Sequence, residues 1–216
     1  MSAGVRVIAI DGPSGAGKST VGRAVAERLG VGYLDTGAMY RAVTFAVLRR
    51  AVDPHDEAEV TEVASTVDLD IADVDGVTRV IVDGVDATQD IRGREVTESV
   101  SAVSAISAVR AELVRRQRDW VVEHGGGVVE GRDIGSVVFP DADLKLYVTA
   151  SPRVRAERRV DEIGGDVDEV EASIIERDRK DSTRADSPLV EASGSTVLDT
   201  TGLDIEAVVS RVLEML

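Results

Sequence analysis

The chain of 216 residues contains no cysteine, which excludes a disulfide framework and any thiolate metal site. Histidine is nearly absent. His55 and His124 stand far apart without ligand-like neighbours and read as surface residues rather than as a metal pair or a catalytic base. Aromatic residues make up only 3%, so a core drawn from the 43% hydrophobic fraction must be filled by Val, Ala, Leu and Ile. Long apolar runs are missing too. None approaches the length of a membrane-spanning helix, and no signal peptide is visible. An apolar strand pattern already begins at Val5, which leaves no room for a targeting leader; a cytoplasmic enzyme is the expectation. There is no excess of basic charge. At a net charge of −15 the surface lacks what non-specific nucleic-acid binding requires. Lysine is scarce, with only Lys18, Lys145 and Lys180. The remaining cations are arginines, whose planar forks suit phosphates and base edges.

Against these absences stands one strong motif. Gly12-Pro13-Ser14-Gly15-Ala16-Gly17-Lys18-Ser19 fits G-x-x-x-x-G-K-[ST], the phosphate-binding P-loop. The run Val5 to Ile10 before it reads as a buried strand. After it, Thr20 to Leu29 reads as a helix, with Val21, Ala24, Val25, Arg28 and Leu29 at helical spacing. Strand, glycine loop and helix in that order are the context the motif needs. The glycines let successive N–H groups converge on an anion, and the helix N-terminus adds partial positive charge. Lys18 is expected to reach the β- and γ-phosphates of a nucleoside triphosphate, and Ser19 to bind Mg²⁺.

Further along, strands and helices alternate. Tyr33–Asp35 reads as a strand, and a helix with Met39, Val43, Ala46 and Val47 on one face runs to about Arg50. Asp53-Pro54 breaks it, and Glu57 to Thr66 is another helix. Residues 68–90 change character: β-rich runs flank Asp75-Gly76 and precede Asp83-Gly84, the signature of hairpins. Glu95 to His124 reads as helix with a break near Ser104–Ser107, ended by Gly125 to Gly127. Trp120 is expected to pack on this helix rather than serve as a base-stacking platform. Val128-Val129 begins a strand, and Leu144–Val148 forms the next. Ser151 caps a helix from Pro152 to about Ile163. Gly164-Gly165 is a hinge, Val167 to Thr183 a charged helix, Thr196–Asp199 a last strand and Ile205–Leu216 a last helix. Alternation of this kind predicts an α/β chain with a parallel sheet, whose ligand crevice lies at the carboxyl ends of its strands.

Four polar clusters are candidates to face that crevice: Asp35 to Arg41, Ser101 with Arg110, Glu130 to Asp133, and Glu176 to Asp181 with Arg184. Together with the opening I-D-G-P-S-G-A-G-K-S they carry a resemblance. L-D-T-G-A-M-Y-R-A at 34–42, R-R-Q-R after Arg110, G-R-D-I-G-S-V-V-F-P at 131–140, E-R-D-x-x-D-x-x-R at 176–184 and Pro188-Leu189 make the chain resemble the bacterial cytidylate kinases. These are nucleoside monophosphate kinases of the P-loop class.

The resemblance implies a three-layer P-loop fold with a central parallel sheet, an antiparallel insertion lobe on the monophosphate-binding side and a short helical lid. It implies one domain, with core residues 1–66 and 125–216, the insertion at about 67–92 and the lid at about 155–186. The donor ATP would lie on Gly12, Pro13, Ser14, Gly15, Ala16, Gly17, Lys18, Ser19 and Thr20, with Mg²⁺ on Ser19. Thr36, Arg110 and Asp133 would meet the cytosine of CMP or dCMP, with Tyr40 in the same substrate-binding set. Ser101, Arg177 and Asp181 would meet the sugar. Arg41, Arg132 and Arg184 would meet the acceptor phosphate or the transferring group and, with Lys18, form the catalytic set. Two departures stand out: threonine at position 36, where serine also occurs in the family, and Lys180 and Ser182 where some members carry lid arginines.

Physical argument favours a phosphate acceptor as well. Transfer to a hydroxyl needs a positioned base, whereas a monophosphate is already anionic and needs only its repulsion cancelled. Arginines and a magnesium ion do that, although Asp133 remains a possible base. Kinases of the shikimate, dephospho-coenzyme A or UMP/CMP type are the alternatives; a guanine-selective N-K-x-D loop is missing, which disfavours a nucleotide switch. The partners expected are small nucleotides, with no nucleic acid, no membrane and a monomeric state. Repulsion among the arginines of the 151–184 helices is expected to hold an unliganded lid open.

Overall fold

The computed structural model describes residues 6–74, 76–184, 186–202 and 205–216; Val5 of the expected first strand and Asp75 of the expected hairpin lie outside them. In chain order the elements are β1 (Arg6–Asp11), α1 (Lys18–Leu29), β2 (Tyr33–Asp35), α2 (Thr36–Arg49) and α3 (Glu57–Thr66). Next come β3 (Leu69–Val74), β4 (Val77–Val82), β5 (Val85–Asp86), α4 (Arg94–Val103) and α5 (Ser107–His124). The chain closes with β6 (Gly126–Gly131), β7 (Leu144–Thr149), α6 (Pro152–Ile163), α7 (Val167–Thr183), β8 (Thr196–Asp199) and α8 (Ile205–Leu213). Two compact units are distinguished, Met1–Gly32 with Gly125–Leu216, and Tyr33–His124. Residues 33–66, grouped with the core on sequence grounds, thus fall by compactness with the segment that follows them. Among the described residues no helix is long and apolar enough to cross a membrane.

The first unit is built on four parallel strands in the order β6-β1-β7-β8. Ile8, Ala9 and Ile10 of β1 and Val128 and Val129 of β6 are at most 1% exposed. Such unbroken apolar runs belong to strands covered on both faces. The sheet begins earlier at β6 than the sequence suggests: Gly126 and Gly127 pair with Arg6 and Val7 rather than merely ending α5. Gly126 adopts a φ of 120°, which a side chain would resist. α1 also starts earlier than expected, at Lys18, so that the P-loop lysine and serine occupy its first turn. Gly30 ends it in the left-handed region, its N–H bonded back to Ala26 and Glu27.

A short element not expected from sequence follows β6. Ile134–Val138 forms a single π turn, with the N–H of Val138 on the carbonyl of Asp133 and that of Phe139 on Ile134. Turns of this kind recur at functional sites.

The second unit packs α2 against α3, α4 and α5. α2 starts at Thr36, three residues before Met39, because Asp35 caps it and accepts from the N–H of Ala38 at 3.0 Å. The predicted break separates α4 from α5 at residues 104–106. β3, β4 and β5 form an antiparallel sheet, with Leu69 opposite Val82 and Val82 opposite Val85. Asp83 and Gly84 both have positive φ, the geometry of a two-residue hairpin turn. Along β4, Val80 and Val82 are buried while Val77 is 55% exposed, the alternation of a sheet covered on one face.

Candidate active site

In the first unit the P-loop leaves β1 at Gly12. A side chain there would place its Cβ 1.9 Å from the carbonyl oxygen of Val148 on β7, so only glycine fits. Four carbonyls of the loop face donors. Arg132 donates to Gly12 at 3.0 Å, Lys18 Nζ to Pro13 at 2.9 Å, Arg155 to Ser14 at 3.2 Å and Thr200 Oγ1 to Ala16 at 2.9 Å. Carbonyl oxygens repel an anion, and here donors compensate them. Lys18 lies across its own loop, so its charge stays within the anion site.

Ser19 Oγ donates to Glu130 Oε1 at 2.7 Å. Glu130 is 4% exposed, near the end of the strand beside β1. A hydroxyl and a carboxylate are hard oxygen donors, which fits a site for Mg²⁺.

Two of the three arginines expected to meet phosphate, Arg132 and Arg184, are connected through one carboxylate. Arg132 reaches Asp181 at 3.1 Å, and Asp181 in turn faces Arg184 at 3.8 Å. Arg184 also donates to the carbonyl of Ser187 at 2.7 Å. Asp181 is therefore an anionic bridge between two candidate phosphate ligands, a role that its assignment to the sugar did not include. Arg177 is half-buried on α7, as is Arg132 at the end of β6. Asp133 is buried at the start of the π turn.

The arginines of α6 and α7 correct one expectation. Arg153 faces Asp168, Glu157 and Glu171; Arg155 faces Asp178 at 2.6 Å; Arg159 faces Glu162; Arg179 faces Glu176. These four cations each have a carboxylate neighbour, and Arg158 donates to Thr200 Oγ1 and to its carbonyl, which offsets the repulsion expected among them. Arg155 is 4% exposed and joins Ala150, Ser14 and Asp178.

In the second unit Thr36 opens α2 and is 3% exposed. Tyr40 lies one turn further on, and the guanidinium of Arg110 stands over its ring at 5.3 Å. Arg110, 3% exposed, also donates to the carbonyl of Ser104 at 3.2 Å. Arg41 donates to the carbonyl of Ile91 and to Thr97 Oγ1, each at 3.0 Å. Ser101 is half-buried on α4. Trp120 stacks on His124 within α5, with ring centroids 4.1 Å apart, and His55 is exposed.

Three residues of the first unit escaped the sequence reading: Asp11, Glu130 as the partner of Ser19, and Arg155. Asp11 ends β1 and is 3% exposed. Burial pushes its carboxyl up to about 6, with Asp133 adding to the rise, although the N–H groups of Gly135 and Ile134 and the charge of Lys18 pull it down. A carboxylate that directly follows an apolar strand was the available signal.

Comparison with known proteins takes in nearly the whole chain. Residues 8–216 match the family model for cytidylate kinase. The cytidylate kinase of Corynebacterium efficiens is 48% identical over 220 residues, covering 100% of this chain and 96% of its own length. A bifunctional pantoate ligase/cytidylate kinase of Synechococcus sp. is 49% identical over 97% of this chain, which spans 44% of that longer protein. The structure is also similar to that of an unliganded sugar kinase from Janibacter sp., with a TM-score of 0.52 at 13% identity over 98% of this chain and 94% of that one. At that identity the likeness concerns the fold alone.

Proposed function

The chain belongs to the cytidylate kinase family, and from this we propose that it transfers the γ-phosphoryl group of ATP to CMP or dCMP, giving CDP or dCDP. The observation that carries the reading is the match over residues 8–216, which takes in both the P-loop and the 176–184 run.

The residues divide the work as follows. The P-loop amides and Lys18 hold the β- and γ-phosphates of ATP, with Lys18 exchanging the Pro13 carbonyl for phosphate oxygen. Ser19 and Glu130 hold Mg²⁺, which when bound neutralises charge on the transferring group. The acceptor oxygen of CMP is already anionic, so no side chain need take a proton from it. Arg41, Arg132 and Arg184 cancel the repulsion between the two anions. Thr36, Tyr40, Arg110 and Asp133 receive the cytosine; Ser101, Arg177 and Asp181 receive the sugar. α6 and α7 serve as a lid that shuts water out during transfer, turning at Gly164-Gly165.

Thin-layer assay of ATP against CMP, dCMP, UMP, AMP, GMP, shikimate and dephospho-coenzyme A tests the proposal. CMP and dCMP are expected as the best acceptors. A preference for shikimate or dephospho-coenzyme A would overturn it.

A further inference from the structure

The π turn at Ile134–Val138 has an unusual cap. Asp133 occupies its N-cap position, where a short acidic side chain ordinarily turns back onto the first amides of its own helix. The Asp133 side chain makes no such bond. The first two amides are bound instead from another strand: the N–H of Ile134 donates to Asp11 Oδ1 and that of Gly135 to Asp11 Oδ2, each at 2.7 Å. The parallel pairing of β1 with β6 makes this possible, because it sets Asp11 opposite Gly131, just before the turn. Both carboxylates are nearly inaccessible, at 3% for Asp11 and 4% for Asp133.

We propose that Asp11 is a positioning residue for base selection: by capping the turn in place of Asp133, it keeps the Asp133 carboxylate from being drawn onto its own amides and fixes the Arg132-Asp133 backbone. The proposal rests on the reading that Asp133 meets the cytosine. A carboxylate accepts from the N4 amino group of cytosine but confronts O4 of uracil, acceptor against acceptor. Without Asp11, two buried N–H groups lose their acceptor, and the neighbouring carboxylate of Asp133 is the side chain placed to take that of Gly135, as an N-cap does. That carboxylate is then turned away from the base.

The test uses the ratio of kcat/KM for CMP to that for UMP, which loosened packing alone does not move. It is measured in the wild type, Asp11→Asn, Asp133→Asn and the double variant, together with KM for ATP. Asp11→Asn keeps the shape but sets an amide donor against one of the two N–H groups. Losing a matched contact to the base is expected to narrow the ratio by about tenfold, with KM for ATP within about twofold. The double variant is expected to be no less selective than Asp133→Asn alone, since both changes act through one carboxylate. Should Asp11→Asn fold poorly, Asp11→Ala takes its place, and calorimetric titration with CMP and UMP gives the corresponding ratio of affinities without turnover. A ratio that narrows in Asp133→Asn but stays at the wild-type value in Asp11→Asn overturns the proposal and leaves the base-reading role intact. Full additivity in the double variant overturns it equally. A ratio unchanged in Asp133→Asn overturns the base-reading role itself, and the role of Asp11 falls with it.

Discussion

The two compact units hold their candidate ligand groups by different means. In the first, several bonds span half of the chain or more: Ser19 to Glu130 is 111 residues apart, Arg132 to Gly12 is 120 and Thr200 to Ala16 is 184, although Lys18 bonds within its own loop. In the second, Arg110 is tied to a carbonyl six residues away, and Arg41 to partners 50 and 56 residues away. A parallel sheet brings distant segments together at the carboxyl ends of its strands, where loops meet. Packed helices join nearer segments through their own faces. The first arrangement suits phosphate, whose charge must be surrounded from several directions. The second holds a ring and a guanidinium face to face, groups of the kind that meet a flat base.

The sharpest way to break the first arrangement is Lys18→Ala. Removing one preorganised charge of this kind is expected to lower kcat by about 10²–10³-fold. The fold should survive, since Lys18 is only half-buried and bonds a carbonyl of its own loop. Steady-state turnover and a thermal melt on the same sample check both halves. Turnover within a few-fold of the wild type would remove Lys18 from the phosphate site.

Asp11 offers a contrast that depends on pH. Its carboxyl rises from 3.8 to about 6 in the folded state, chiefly through burial. The folded form therefore holds this proton more tightly than the unfolded chain does, and ionisation opposes folding. The contribution is fully present below about pH 4 and is lost as pH climbs through about 6, a change on the order of 3 kcal/mol. Asp133 and Lys18 both act on this group, and neither is altered by Asp11→Asn. Between pH 4 and 7 the wild type is expected to lose roughly 5–10 °C in Tm relative to Asp11→Asn. A difference that is flat with pH would return the group to its ordinary acidity.

Asp181→Ala probes the link between Arg132 and Arg184. A charged hydrogen bond to a sugar hydroxyl is worth roughly 1.5–3 kcal/mol, so KM for CMP should rise about ten- to a hundredfold while KM for ATP holds. Because the carboxylate also faces two arginines, kcat is expected to fall along with it. If KM for ATP rises instead, this face of α7 belongs to the donor.

Much of the first unit could be read in the sequence because its signals are local. Ile8 to Ile10 and Val128-Val129 announce buried strands by composition alone, and the P-loop spacing announces its own turn. The capping residues Asp35 and Ser151 stand beside the helices they begin. What stayed hidden was long-range or unfamiliar in type. Nothing near Arg155 says that it will bond Ser14, 141 residues away. Nothing near Asp11 says that it will cap a turn that itself leaves no periodic trace. The arginines of α6 and α7 differ from expectation for a related reason: the carboxylates beside Arg153, Arg155, Arg159 and Arg179 lie a helical turn away or on the opposing helix.

The smallest effects come from comparing one substitution in the two sheets. Val129 on β6 is fully buried, whereas Val77 on β4 is 55% exposed. Val129→Ala removes two buried carbons and leaves a cavity in a strand covered on both faces, at a cost of about 2 kcal/mol. Val77→Ala takes away surface that water already reaches, and only a modest preference of valine for strands opposes it. Its cost should stay within about 0.5 kcal/mol. For a chain of this length the two correspond to roughly 4–8 °C and 1 °C in Tm, read from paired melts. Activity toward CMP well below the melting range should be unchanged in both, since neither valine is among the candidate ligand groups. A loss at Val77 as large as that at Val129 would mean that the outer face of the small sheet is covered in solution, and that the contrast between a two-faced and a one-faced sheet does not hold.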